Sequence, residues 1–246
     1  MRNHRGGIKV LVAALGLVLV LATPALAVHY KISCIGDSIT EGTYPTKLET
    51  MLSQYMPGEY SFDIQDHGRG GYKIEPIQSE MESQNWLSWN PDIVLIMAGT
   101  NNVLHGYFDD PDTSLEDMSW ATMRAMQRLV DSVRARCNAK IILAAMPPST
   151  DKGLTEWLDY TNRRFATEVQ GIDVFVYDTW NDYYDSDSGT AVSALMRDRL
   201  HPNLVGNWIL AQNWFEAIRL LIQAPESSSV KTASSRQYQV PFPAPR

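Results

Sequence analysis

Two hydrophobic periods alternate between residues 28 and 223. Short, mostly apolar runs bounded by turn residues, at Tyr30 to Ile35, Phe62 to Gln65, Ile93 to Ala98, Ile141 to Ala145 and Val174 to Tyr177, predict five strands. Between them the period changes: Met126, Leu129, Val130 and Val133 recur at helical spacing, as do Leu204, Trp208, Ala211, Phe215, Ile218 and Ile222 in the last predicted helix. Apolar strands separated by helical stretches predict a parallel sheet covered by helices, so five strands and about five helices make one three-layer α/β/α domain. In that architecture ligands bind beyond the carboxyl ends of the strands, and candidate chemistry is sought just after each one.

The ends of the chain depart from this pattern. In residues 1–27, Arg2, Arg5 and Lys9 precede an apolar run from Val10 to Ala22, and Ala25-Leu26-Ala27 offers a small-x-small cleavage site. This predicts a secretory signal peptide; the run is shorter than the about 20 apolar residues a spanning helix needs. From Ala224 to Arg246 the chain is rich in Ser and Pro without any period, which predicts a disordered tail. The foldable unit is therefore residues 28–223.

Composition narrows the class. The 246 residues are 44% apolar and 20% charged, a globular composition. The formal charge is −7, and removal of residues 1–27 with their three basic groups would make it −10. An acidic, exported protein is a poor partner for nucleic acid and, once cleaved, has no expected stable membrane association. Two cysteines make no disulfide framework; Cys34 in a strand and Cys137 at a helix end are expected to be unpaired core thiols.

The first strand runs into Gly36-Asp37-Ser38-Ile39-Thr40, which delivers a serine into a glycine-flanked turn, a placement suited to a nucleophile and equally to a helix cap. Of the five histidines, His67 and His105 are expected in loops without a patterned carboxylate. His201 instead follows Asp198 by three residues in Asp198-Arg199-Leu200-His201-Pro202-Asn203, so a turn can bring the carboxylate to Nδ1 and leave Nε2 as a base. Alone, such a pair also fits an ordinary surface turn. Two more loops follow strands: Asp66-His67-Gly68-Arg69-Gly70-Gly71, whose glycines let backbone amides approach a carbonyl, and Gly99-Thr100-Asn101-Asn102, whose Asn can donate a side-chain amide. Their alternative readings are a flexible turn and an Asx-turn. What distinguishes the set is that a nucleophile, two donors and an acid–base pair follow successive strands in chain order.

With these four blocks in view, the sequence resembles the SGNH or GDSL hydrolases, serine esterases and lipases with a flavodoxin-like α/β fold. The resemblance implies Ser38 as nucleophile, Asp198 and His201 as the rest of the triad, and the Ser38 amide, the Gly71 amide and the Asn101 side chain as oxyanion donors. It implies no metal or organic cofactor. Two positions depart from the common pattern: Asp66 stands where Asn is usual and Asn102 where Asp is usual. The absence of a Gly-x-Ser-x-Gly elbow separates the chain from the larger α/β-hydrolases. The acidic stretch Asp182 to Gly189 fails the spacing of a calcium loop and is expected to be a solvated loop.

The stretches DHGRGGYKI, NPDIVLIMAGTNN and MPPST are most similar to carbohydrate esterase family three, which removes acetyl groups from xylan and related polysaccharides. That resemblance implies a secreted esterase acting on an acylated polysaccharide or small ester. The same triad also serves lipase and lysophospholipase-type esterases on longer chains, and a carbohydrate-binding relative without activity is a third alternative. Trp86 and Trp89 are expected to pack in the core, whereas Trp180, Tyr183 and Tyr184, in the loop before the Asp198 block, are candidates for substrate contact.

Overall fold

The computed structural model describes residues 28–110 and 112–223. The predicted signal segment and Ser/Pro tail lie outside the described residues. Five parallel strands, β1 (Val28–Gly36), β2 (Tyr60–Gly68), β3 (Ile93–Met97), β4 (Lys140–Ala144) and β5 (Val174–Val176), form one sheet in the order β2-β1-β3-β4-β5. The chain passes from β1 outward to β2 and then returns to the other side of β1 as β3. The order thus reverses around β1, and the loops after β1, β2 and β3 share one edge, which is where an open α/β sheet offers a crevice.

Alternate residues of the central strands feed two cores, as the period of a strand requires. On one face Ile35, Val94, Ile96, Ile141 and Leu143 pack with α2 (Ile74–Ser83), α3 (Thr100–Asp109), α4 (Leu115–Arg136) and α5 (Lys152–Glu168). On the other, Ile32, Cys34, Ile93, Leu95 and Ile142 pack with α1 (Tyr44–Tyr55) and α7 (Leu204–Gln223). The three-layer expectation therefore holds, with both faces covered. Cys34 and Cys137 are buried and free, and they belong to opposite cores, so the sheet stands between them.

Three expectations need correction. Strand β2 runs from Tyr60 to Gly68 rather than from Phe62 to Gln65, so His67 lies in a strand, where its ring stacks on Trp86 at 4.6 Å. His105 lies on α3 and meets Asp109, one helical turn on, at 2.5 Å. The segment after β5 is not one long loop: it forms the short helix α6 (Asp178–Asn181) and a hairpin of β6 (Tyr184–Asp185) and β7 (Thr190–Ala191). The acidic stretch is the tip of that hairpin, where Asp185 accepts from the Asp187 N–H and the Ser188 hydroxyl. Trp86 is buried as expected, and Trp89 is half-buried.

Candidate active site

Ser38 sits in the turn between β1 and α1, just past the last strand residue. The turn closes on itself, since the Asp37 carbonyl accepts the N–H groups of Thr40 and Glu41 at 3.0 Å. The Asp37 side chain turns inward, and its Oδ1 accepts the Ile39 N–H at 3.0 Å. Burial pushes the Asp37 carboxyl up to about 6, against the opposing pull of the Ile39 N–H, the charge of His201 and Thr100.

His201 reaches Ser38 from far along the chain, in the loop before α7. Its Nε2 is 2.9 Å from Ser38 Oγ, and its Nδ1 is 2.9 Å from each oxygen of Asp198. Asp198 Oδ1 also accepts the N–H groups of Leu200 at 2.9 Å and His201 at 2.8 Å. Burial alone would raise the Asp198 carboxyl, but these two backbone donors, together with the imidazole, hold it well below the usual carboxylate range. An anion fixed at Nδ1 places the ring proton there and leaves Nε2 as acceptor for the Ser38 hydroxyl.

The loop carrying both residues is pinned at several points. The Arg197 N–H bonds the His201 carbonyl at 2.8 Å, and Asn203 Oδ1 caps the start of α7 by accepting from Val205 at 2.9 Å and Gly206 at 3.1 Å. Between acid and base, the Arg199 carbonyl accepts the Ser149 hydroxyl at 2.8 Å and the Thr150 N–H at 3.1 Å. Ser149, fully buried after β4 in the MPPST stretch, is thus part of what holds the loop carrying Asp198 and His201.

The two loops expected to carry oxyanion donors also meet. Asn101 lies in the first turn of α3, and its Nδ2 donates to the Tyr72 carbonyl at 2.9 Å, one residue beyond Gly71. An amide nitrogen has two hydrogens, so one remains for a developing oxyanion. Gly71 has φ +76, a left-handed conformation that favours glycine and turns its N–H with the loop. The unusual Asn102 anchors the same region: its Oδ1 accepts the Ile74 N–H at 2.9 Å and its Nδ2 donates to Glu75 at 3.0 Å. An Asp there could not donate to Glu75, so the departure at 102 is matched by the residue it faces.

The aromatic candidates separate. Tyr183 is fully buried and its hydroxyl donates to the Gly206 carbonyl, so it braces α7 and cannot touch substrate. Trp180 is buried as well, which corrects the expectation for its free contact; only Tyr184 is exposed, at 39%, with its ring stacked on Trp180 at 5.6 Å.

The chain matches the GDSL-like Lipase/Acylhydrolase family over residues 34–209, and it belongs to that family. By family it is a carboxylic ester hydrolase of the SGNH/GDSL type. It is 25% identical over 238 residues to a multidomain esterase of Ruminococcus flavefaciens, covering 80% of this chain and 29% of that protein. The chain therefore spans less than a third of that relative. Among solved structures, an acetylxylan esterase from Geobacillus stearothermophilus superposes with a TM-score of 0.63 at 21% identity, over 79% of this chain and 96% of its own. The acetyl xylan esterase AlAXEase gives 0.58 at 25% identity, over 76% of this chain and 99% of its own.

Proposed function

We propose that this chain is an exported serine esterase that removes small acyl groups, acetyl above all, from a polysaccharide such as xylan through an acyl-enzyme. The carrying observation is the continuous hydrogen-bond contact from Ser38 Oγ through His201 to Asp198, each distance 2.9 Å. In the first step His201 Nε2 takes the Ser38 proton as Oγ attacks the ester carbonyl, and Asp198 stabilises the imidazolium. Charge forms on the carbonyl oxygen beside the Ser38 and Gly71 amides and the Asn101 side chain, each donor contributing about 3 kcal/mol in the transition state. His201 then protonates the leaving alcohol. Water, deprotonated by the same imidazole, attacks the acyl-Ser38 ester, and collapse returns the proton to Ser38 and releases the acid.

The acetyl preference draws on the acetyl xylan esterase named above that is 25% identical, and on the acidity of the chain, which suits an uncharged polymer. Export draws on residues 1–27. A second reading, hydrolysis of longer acyl chains, is favoured by one feature: Leu204 and Val205, three and four residues past His201, are 69% and 50% exposed. A series of p-nitrophenyl esters from acetate to palmitate, run beside acetylated xylan, separates the two. Maximal kcat/KM at acetate with release of acetate from xylan is the expected result; a maximum at long chains with none from xylan would establish the lipase reading instead.

A further inference from the structure

We propose that Asp66 and Glu41 are positioning residues that lock the oxyanion loop to the nucleophile turn, so that the Ser38 and Gly71 amides act as one rigid donor pair; this rests on the esterase reading above.

Asp66 stands near the end of β2, and its two carboxylate oxygens serve two different segments. Oδ1 accepts the Gly68 N–H at 2.8 Å, at the last residue of β2 where the oxyanion loop begins, while Oδ2 accepts the Gly42 N–H at 2.7 Å, at the end of the nucleophile turn. Glu41 returns the contact from the other side, its Oε2 accepting the Gly70 N–H at 3.0 Å. The two segments press together between these bonds. A Cβ at Gly68 would lie 2.2 Å from the Glu41 nitrogen and 2.3 Å from its Cα, so only glycine permits the approach. One backbone bond, from the Arg69 N–H to the Gly36 carbonyl at 2.9 Å, completes the seam.

The outer side of the loop is fastened by Arg69. Its Nε meets Glu80 on α2 at 2.6 Å, its Nη1 donates to the Gly68 carbonyl at 2.8 Å, and its guanidinium lies 4.7 Å over the Trp86 ring. The segment leading to Gly71 is thus held on both sides.

Residue type decides how the seam works. A carboxylate accepts at both oxygens, so Asp66 can satisfy Gly68 and Gly42 together; an Asn accepts at one and would point N–H at N–H at the other. The departure at position 66 therefore adds a tie between loops that the usual Asn could make only in part. Displacement of a donor by about 1 Å is enough to lose on the order of 10²-fold in rate, so the tie bears on catalysis without either carboxylate touching substrate. Asp66 and Glu41 are both exposed, so their removal strands no carboxylate in the core.

The test compares Asp66→Ala, Asp66→Asn, Glu41→Ala and Glu41→Gln with the full chain. Active sites are counted with a fluorophosphonate, kcat and KM are measured on p-nitrophenyl acetate, and Ki is measured for a boronic acid whose tetrahedral adduct fills the oxyanion hole. Both Ala variants are expected to lose about 10- to 100-fold in kcat per titrated site and in boronate affinity, with KM changed less than about threefold. Glu41→Gln, which keeps an acceptor, is expected to stay close to wild type, and Asp66→Asn to fall between Asp66→Ala and wild type. Ala variants that lose only Tm or titratable sites, with kcat per site and boronate affinity unchanged, would overturn the proposal. A Ser38→Ala variant as active as wild type would instead bring down the esterase reading on which it rests.

Discussion

His201 Nε2 lies 2.9 Å from Ser38 Oγ although 163 positions separate the two residues in the chain. The contact joins the turn after the first strand to the loop before the last helix, so four of the five sheet strands, β2 to β5, lie between Ser38 and His201 in sequence. The sheet order that brings both ends to one edge is therefore what makes the contact.

Asp198→Asn tests the acid. The substitution keeps the shape of the loop but turns an amide toward Nδ1, which disfavours the tautomer that leaves Nε2 free. A loss of about 10⁴-fold in kcat, with Tm changed little, is expected in steady-state assays on p-nitrophenyl acetate. A loss below about tenfold would mean that Asp198 does not orient the imidazole.

Asn101→Ala separates oxyanion stabilisation from substrate binding. Its amide is expected to act on charge that develops only in the transition state, so kcat should fall about 10²- to 10³-fold with a much smaller change in KM. A rise in KM alone, at unchanged kcat, would assign the residue to ground-state binding.

Asp37 and Asp198 predict opposite effects of pH on stability. The Asp37 carboxyl has an ordinary value of 3.8 and a folded value of about 6, so the folded chain keeps a proton that the unfolded chain releases. Its contribution is full below about pH 4, is lost as pH rises to about 6, and leaves the fold about 3 kcal/mol less stable above that. Asp198, held below its ordinary value, instead contributes above about pH 4 and loses that contribution as pH falls through its lower folded value. Asp37→Asn keeps an oxygen for the Ile39 N–H and carries no charge. Its Tm should exceed wild type at about pH 7 and converge with it near pH 4; parallel curves for the two proteins would contradict the burial cost assigned to Asp37.

Tyr183 and Tyr184 are neighbours with different predicted roles. Tyr183→Phe removes a buried hydrogen bond to Gly206 and should cost about 1 kcal/mol in denaturant unfolding without altering KM. Tyr184→Ala should leave p-nitrophenyl acetate kinetics and Tm nearly unchanged and raise KM on acetylated xylan. An unchanged KM on the polymer would remove the exposed ring from substrate contact.

Much of this was legible because central strands are apolar on both faces: Ile93 to Met97 reads as a strand without help, and the glycine motifs after β1, β2 and β3 then fall at the sheet edge. The apolar pattern of β2 covers only part of the strand because it lies at the sheet edge, where Asp63, Gln65 and Asp66 face solvent. The helix holding His105 starts inside the Gly99 to Asn102 motif and contains Gly106, which hides its period. The Tyr183 and Tyr184 roles could not be separated by proximity to the Asp198 block, since adjacent residues entering a hairpin point to opposite sides. Ser149 and Glu41 bond to partners 50 and 29 positions away, so the sequence around each one does not show what it holds, even though Ser149 falls in the MPPST stretch.

The most direct measurement of the central claim is rapid mixing with p-nitrophenyl acetate, followed by mass analysis of the quenched protein. The account predicts a burst of p-nitrophenol matched to the titrated sites and one acetyl group on the Ser38 peptide, both absent in Ser38→Ala. Turnover by Ser38→Ala equal to wild type, with no acetyl group on Ser38 in either protein, would contradict it.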